Sequence, residues 1–318
     1  MAGGTAILGG QPSGLYLETL QEVFTNRTKK VPDLIGKMFN VKHDKRLANT
    51  YQSYSPLEDF DSWDMESGVS VEQPDAKFQT VITKGGFRKA VAYSWKLKEF
   101  QRYSYMAELA ESLARAAATT KQRQTFDYIN DQLAGTSGTY WGSGATDYLF
   151  STTHDLATGV NPWYNPVTAA TSTVGYNLIS GALTHARLVQ AIALLRLTPD
   201  DMGNPMMLEP RFLHVYPGDN EELAYRILES RAMSGTANND ANWLKDNYGK
   251  IEVVPNPWLT DVDACLLVGS EHKVVCEISH DMVQSQYVDD NTKATVHDVA
   301  FVFATGAKDW RGMVAIKP

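Results

Sequence analysis

Between Lys96 and Leu133 the chain contains neither glycine nor proline, and Leu97, Phe100, Ala107, Ala110, Leu113, Ala117, Phe126, Ile129 and Leu133 recur at helical spacing. The pattern predicts one long helix, on the order of 57 Å at 1.5 Å per residue. A rod of that length restricts the available folds, because it outspans a small domain and usually acts as a strut; the alternative is an ordinary helix broken near Thr119. The polar run Thr119 to Thr125 interrupts the apolar stripe, which argues against a coiled coil and its unbroken heptads.

Residues 206–259 add a second constraint. The apolar run Phe212 to Tyr216 stops at Pro217, and Asp219 followed by Glu222 is a helix-start signature, each carboxylate able to satisfy a free backbone N–H. Leu223, Ile227 and Leu228 give that helix an apolar stripe. A polar loop, Gly235 to Asn242, then leads to a second strand, Lys250 to Val254, closed by Pro255 and Pro257. Upstream, Gly181 to Leu197 reads as another helix, with Leu183, Leu188, Val189, Ile192 and Leu195 at helical spacing and Pro199 ending it. These motifs are patterns of packing and turn residues rather than reactive groups.

The first segment, to about Asn49, reads as an arm with little core-forming capacity, although Leu17, Leu20 and Phe24 have helix-compatible spacing. From Arg27 to Arg46 there are seven Lys or Arg (Arg27, Lys29, Lys30, Lys37, Lys42, Lys45, Arg46) against two acids, Asp33 and Asp44. The next block reverses sign: Glu58, Asp59, Asp61, Asp64, Glu66, Glu72 and Asp75 occur between Ser55 and Ala76 with no Lys or Arg. A β-rich stretch, Phe78 to Trp95, follows, with Gly85-Gly86 as a hairpin turn inside a long extended loop. Charge runs are ordinarily solvated surface. Opposite signs on adjacent extended segments are nevertheless what complementary contacts between copies would use for register.

Candidate chemistry is thin. His154-Asp155 with Ser151 would be the strongest hydrolytic group, but no Gly-x-Ser-x-Gly elbow exists, and adjacent His and Asp side chains diverge. His154 reads as a loop residue in a surface or capping role. His272, Cys276 and His280 could be metal ligands, yet the segment reads as strand then turn, where that spacing does not converge. Gly142-Ser143-Gly144 lacks the context of a phosphate loop. No catalytic residue, cofactor or metal is expected.

With 318 residues, 43% of them hydrophobic, the chain can bury roughly 75% of its unfolded surface. A formal charge of −8 argues against a dedicated nucleic-acid binder, whereas a container for DNA needs no basic excess. Cys265 and Cys276 lie in apolar segments that read as neighbouring strands and are expected as buried thiols. MAGGTAILGG lacks the basic flank and apolar core of a secretion signal, and no apolar run approaches the roughly 20 residues of a membrane span. The expected location is the cytoplasm, with no membrane partner.

The order "LEPRFLHVYPGDNEELAYRILES", "GTANNDAN", "IEVVPNPWLTDVDACLLVG", with "RAAATTKQRQTFDYIND" and "LFSTTHDL" upstream and "DVAFVFATGAKDWRGMVAIKP" downstream, resembles tailed-phage major capsid proteins of the Hong Kong ninety-seven fold, particularly those of Mu-like prophages. The likeness covers about Glu99 to Pro318. It implies an α+β fold divided as an N-terminal arm (1–50), an extended β-hairpin loop (51–95), a peripheral domain on a spine helix (96–182), an axial domain (183–285) and return strands of the peripheral domain (286–318). It further implies pentamers and hexamers closing into an icosahedral shell around double-stranded DNA, assembled in the bacterial host cytoplasm into a virion capsid. Portal, separate scaffolding and decoration proteins are the implied partners. The expected contacts between copies join the basic arm (Arg27, Lys29, Lys30, Lys37) to the acidic loop (Glu58, Asp59, Asp61, Asp64, Glu66). An encapsulin-like compartment and a soluble hydrolase are the alternative readings.

Overall fold

The computed structural model describes residues 22–54, 71, 76–94, 96–97, 100, 103–135, 148–152, 154–155, 174–200, 205–231 and 241–318. Helical residues 22–29 (α1) and a single turn, Ile35–Met38 (α2), lead into β1 (Asn40–His43), β2 (Ala48–Tyr54), β3 (Ala76–Thr83) and β4 (Gly85–Tyr93). The long helix α3 spans Tyr103–Ala134. Two short strands, β5 (His154–Asp155) and β6 (Val174–Gly175), precede β7 (Leu178–Ser180), α4 (His185–Leu197), β8 (Pro210–Val215), α5 (Asp219–Glu229), α6 (Trp243–Tyr248) and β9 (Glu252–Pro255). The chain closes with β10 (Cys265–Gly269), β11 (Val274–Val288), β12 (Thr295–Ala307) and β13 (Met313–Lys317).

These strands form a four-stranded sheet, β1-β11-β12-β4, a five-stranded sheet, β7-β13-β10-β8-β9, and two-stranded pairs β2-β3 and β5-β6. Period-two patterning places the five-stranded sheet between two cores. On β10, Leu266 and Val268 face the core shared with α3 and the four-stranded sheet, while Cys265 and Leu267 face the core under α4 and α5. On β13, Met313 and Ala315 take the first side, Val314 and Ile316 the second. Burial on both faces explains why these strands are almost wholly apolar. The last strand thus enters the sheet of β8 and β9, so a division at Ser285 cuts across the sheets. Among the described residues no helix is long and apolar enough to cross a membrane.

Helix α3 runs unbroken through Thr119, at roughly 48 Å. Its continuous span starts at Tyr103; upstream, Lys96 and Leu97 are helical and Phe100, 72% exposed, lies in a turn, its N–H donating to the Lys96 carbonyl at 2.9 Å. Gly135, at φ +64°, takes the left-handed position that ends the helix. The polar gap in its stripe has a use. Gln122 donates to the Pro32 carbonyl and accepts from the Trp258 indole N–H at 2.8 Å, and Asn130 donates to the Trp258 carbonyl at 2.9 Å.

Several expectations are corrected. The arm is not poor in core residues: Phe24, Ile35, Met38 and Phe39 are buried in the larger core, and β1 pairs in parallel with β11. Gly85-Gly86 is not a hairpin turn. Neither glycine has positive φ; β3 pairs with β2 and β4 with β12, so the chain changes sheets there. Cys265 and Cys276 lie on consecutive strands of different sheets, not on neighbours. Both are buried thiols, pushed up to about 12 and about 11 by burial. Segment 276–280 is continuous strand rather than strand and turn.

Around residues 181–255 the corrections are local. Helix α4 begins at His185, with Thr184 Oγ1 accepting from the Arg187 N–H at 3.2 Å. The Asp219–Glu222 cap does not form, because Gly218 occupies the capping position; Asp219, Glu221 and Glu222 instead place negative charge in the first turn of α5. The short helix α6 intervenes before β9, capped by Asn242. Parallel β8 and β9 are therefore joined through both helices.

Candidate assembly surface

The predicted contact residues meet different fates. Arg27 is half-buried on α1, Lys29 is exposed on the same helix and Lys30 is exposed in the turn after it; α1 itself is seated by Phe24, whose ring meets His297 edge-on at 6.0 Å. Lys37 is already engaged inside its own subunit, its Nζ 2.5 Å from Glu252 of β9. Both partners are partly solvated, so the pair contributes about 0–1 kcal/mol. Glu58, Asp59, Asp61, Asp64 and Glu66 lie outside the described residues.

The strands that bracket those acids are described. β2 and β3 form an antiparallel ribbon from Ala48↔Thr83 to Tyr54↔Ala76, pairing with neither larger sheet. At its base Lys84 and Glu277 make an ion pair with both side chains fully buried. Sequence reasoning passed over these two residues. A signal was present: Glu277 is the only charge in the apolar run Val274 to Ile278.

The residues singled out for chemistry fall in different settings. His154 is buried, not a surface loop residue: its Nε2 lies 2.9 Å from Asn177 Oδ1, and its ring stacks on Trp310. Burial, opposed by the Asn177 hydrogen bond, holds the imidazole down at about 4. Asn177 also accepts the Ser151 N–H at 3.0 Å and donates to the Leu149 and Trp310 carbonyls, so the cluster ties loops together. His272 and Cys276 are buried while His280 is exposed. Among the described residues no three His, Cys, Asp or Glu side chains group as a metal site. A groove of about 360 Å³ between α4 and α6 is lined by Val189, Ile192, Leu197, Met207 and Trp243, with Arg196 at its rim, and offers no acid–base pair.

A family model described as phage capsid protein matches residues 79–316, about three quarters of the chain. The chain belongs to the phage capsid protein family. No curated protein sequence matches it. The capsid protein is similar in structure to the virus-like particle from Pyrococcus furiosus, at 9% identity over 94% of this chain and 98% of that one, with a TM-score of 0.55. The capsid of an empty GTA particle aligns at 11% identity over 89% and 88%, TM-score 0.52, and that of the native GTA particle at 10% over 99% and 96%, TM-score 0.51. At such identities the likeness is one of fold. It is a mixed α/β fold shared with capsid shells. This is a major capsid protein, a structural subunit whose working surface is the one it presents to further copies of itself.

Among the described residues several large apolar side chains are exposed near the ribbon and along β11. Val41 and Leu47 near the ribbon base, Val81 on β3, and Val283, Tyr287 and Val288 at the far end of β11 are each 41% exposed or more.

Proposed function

We propose that this subunit builds a closed icosahedral head of pentamers and hexamers around double-stranded DNA, in the Mu-like branch of the Hong Kong ninety-seven fold. The observation that carries this reading is the family match over residues 79–316, joined to a two-stranded ribbon standing apart from both sheets and a helix of 32 residues. In this reading α3 is the spine helix, the β2-β3 ribbon with residues 55–75 is the extended loop, and the unit of β8, α5, α6 and β9 belongs to the axial domain. The acids Glu58, Asp59, Asp61, Asp64 and Glu66 meet basic residues of an adjacent copy. Lys37 is committed to Glu252, which leaves that contact to Arg27, Lys29 and Lys30. Repeated head-to-tail contacts of this kind close into rings when their rotation permits. Portal, scaffolding and decoration proteins are the proposed partners, and the host cytoplasm is the proposed place of assembly.

Electron microscopy of purified protein, with assay of particle contents, tests the reading. Closed shells containing double-stranded DNA are expected. Protein cargo in place of nucleic acid would transfer the subunit to an encapsulin-like compartment. Material that stays monomeric or dimeric under all solvent conditions would overturn both.

A further inference from the structure

Among the described residues the β2-β3 ribbon makes ladder hydrogen bonds only within itself. An isolated two-stranded ribbon is marginal in water, so something else must hold it to the body. Ile82 of β3 is buried against Gly306 of β12, and the polar part of the attachment is concentrated on one carboxylate. Glu277 of β11 is fully buried; it accepts from Asn49 Nδ2 at 2.6 Å, from the Tyr51 hydroxyl in a short hydrogen bond, and faces Lys84 Nζ at 3.5 Å. Two of these donors come from β2 and the third from the link between β3 and β4. Lys84 Nζ also donates to the Arg46 carbonyl at 2.7 Å, and its backbone N–H donates to the Leu47 carbonyl at 2.9 Å. Burial and the neighbouring carboxylate push the Tyr51 hydroxyl up to about 12, so it stays a donor at ordinary pH. Over the outer face of its ring sits Lys308 Nζ, 3.4 Å from the centroid.

We propose that Glu277 is a clamp that fixes the angle at which the ribbon leaves the four-stranded sheet, with Asn49, Tyr51 and Lys84 as the positioning residues it grips. A buried ion pair seldom adds net stability, since desolvation offsets the attraction, but it penalises every geometry in which the charges part. Such a joint differs from a β-ladder: its polar contacts release together while the ladders of both sheets stay intact. The ribbon can then swing without unfolding the subunit.

Hydrogen exchange on the unassembled full chain tests this without depending on whether shells form, so its failure and that of the capsid reading are separable. The variant N49A/Y51F keeps the Lys84–Glu277 pair and leaves no lone buried charge. Its ribbon amides, in 48–54 and 76–83, are expected to exchange about tenfold faster or more, with β11 and β12 amides unchanged. K84M/E277L removes the pair entirely and is expected to release the ribbon in the same way. K121A, which deletes the more exposed ion pair between Lys121 of α3 and Asp281 of β11, is the control and leaves the ribbon protected. Unaltered ribbon exchange in both clamp variants, acceleration of ribbon and sheet together in both, or equal ribbon release in K121A would each overturn the proposal.

Discussion

The imidazole of His154 lies flat on the indole of Trp310, ring centroids 4.4 Å apart and planes 6° from parallel. A ring so enclosed resists charging. His154, His214 and His272 are all held near 4, burial being the largest cause in each. In the unfolded chain each takes up a proton below about pH 6.5. Between about pH 6.5 and 4 the unfolded state therefore binds more protons, so stability is full above that window and is lost as pH falls through it, by up to ~3 kcal/mol per histidine. Urea unfolding at pH 7, 6, 5 and 4.5 is expected to show this decline. His154→Gln, which keeps a donor toward Asn177, is expected to flatten it; an unchanged slope would remove His154 from the explanation.

Asn242 is the knot between α5 and α6. Buried at the head of α6, it accepts from the Leu244 N–H at 3.2 Å and donates to the Ile227 and Ser230 carbonyls at 2.6 and 3.1 Å. Asn242→Ala loses a helix cap and strands carbonyls at the end of α5, with an expected cost of ~2–3 kcal/mol in denaturant unfolding.

Gly312 stands at φ +90°, and a Cβ there would lie 2.6 Å from the Cα of His272, a backbone atom that has no easy retreat. Its carbonyl accepts the Gly269 N–H at 2.8 Å, which holds β10 and β13 in register. Gly312→Ala is expected to destabilise by at least ~2 kcal/mol, read as a lower thermal midpoint.

Cys265 and Cys276 are fully buried with raised thiol values, so little thiolate is present at pH 8. A disulfide reagent at pH 8 is expected to label neither within minutes in the native subunit and both at once in guanidinium. Fast labelling of either native thiol would contradict the burial described above.

Reversal of Asp59, Asp61 and Asp64 to Lys is expected to block or reroute shell formation while the monomer keeps its circular dichroism spectrum. Particles identical to wild type by microscopy would discard the pairing of acidic loop and basic arm.

What could be read beforehand was what depends on neighbours in sequence. Helix α3, helix α4, the strand-to-helix passage at Pro217 and the strand before Pro255 were legible, because periodicity and breakers are local. The misses share one cause. Gly85-Gly86 has the composition of a turn, yet pairing with β12 holds it extended. Asp219 has the chemistry of a cap, yet Gly218 takes the capping position. His154 resembles a loop residue until Trp310, far along the chain, closes over it.

By itself, then, the order of residues determined the strut, the alternating strands and the family likeness, since each rests on side-chain spacing along one segment. Only the tertiary structure decided which sheet each strand joined, that Phe24, Ile35, Met38 and Phe39 of the supposed arm are core, and that Glu277 would meet Asn49, Tyr51 and Lys84. Those outcomes depend on burial, and burial is a property of segments hundreds of residues apart competing for the same interior. No local pattern encodes which of them a buried charge will find.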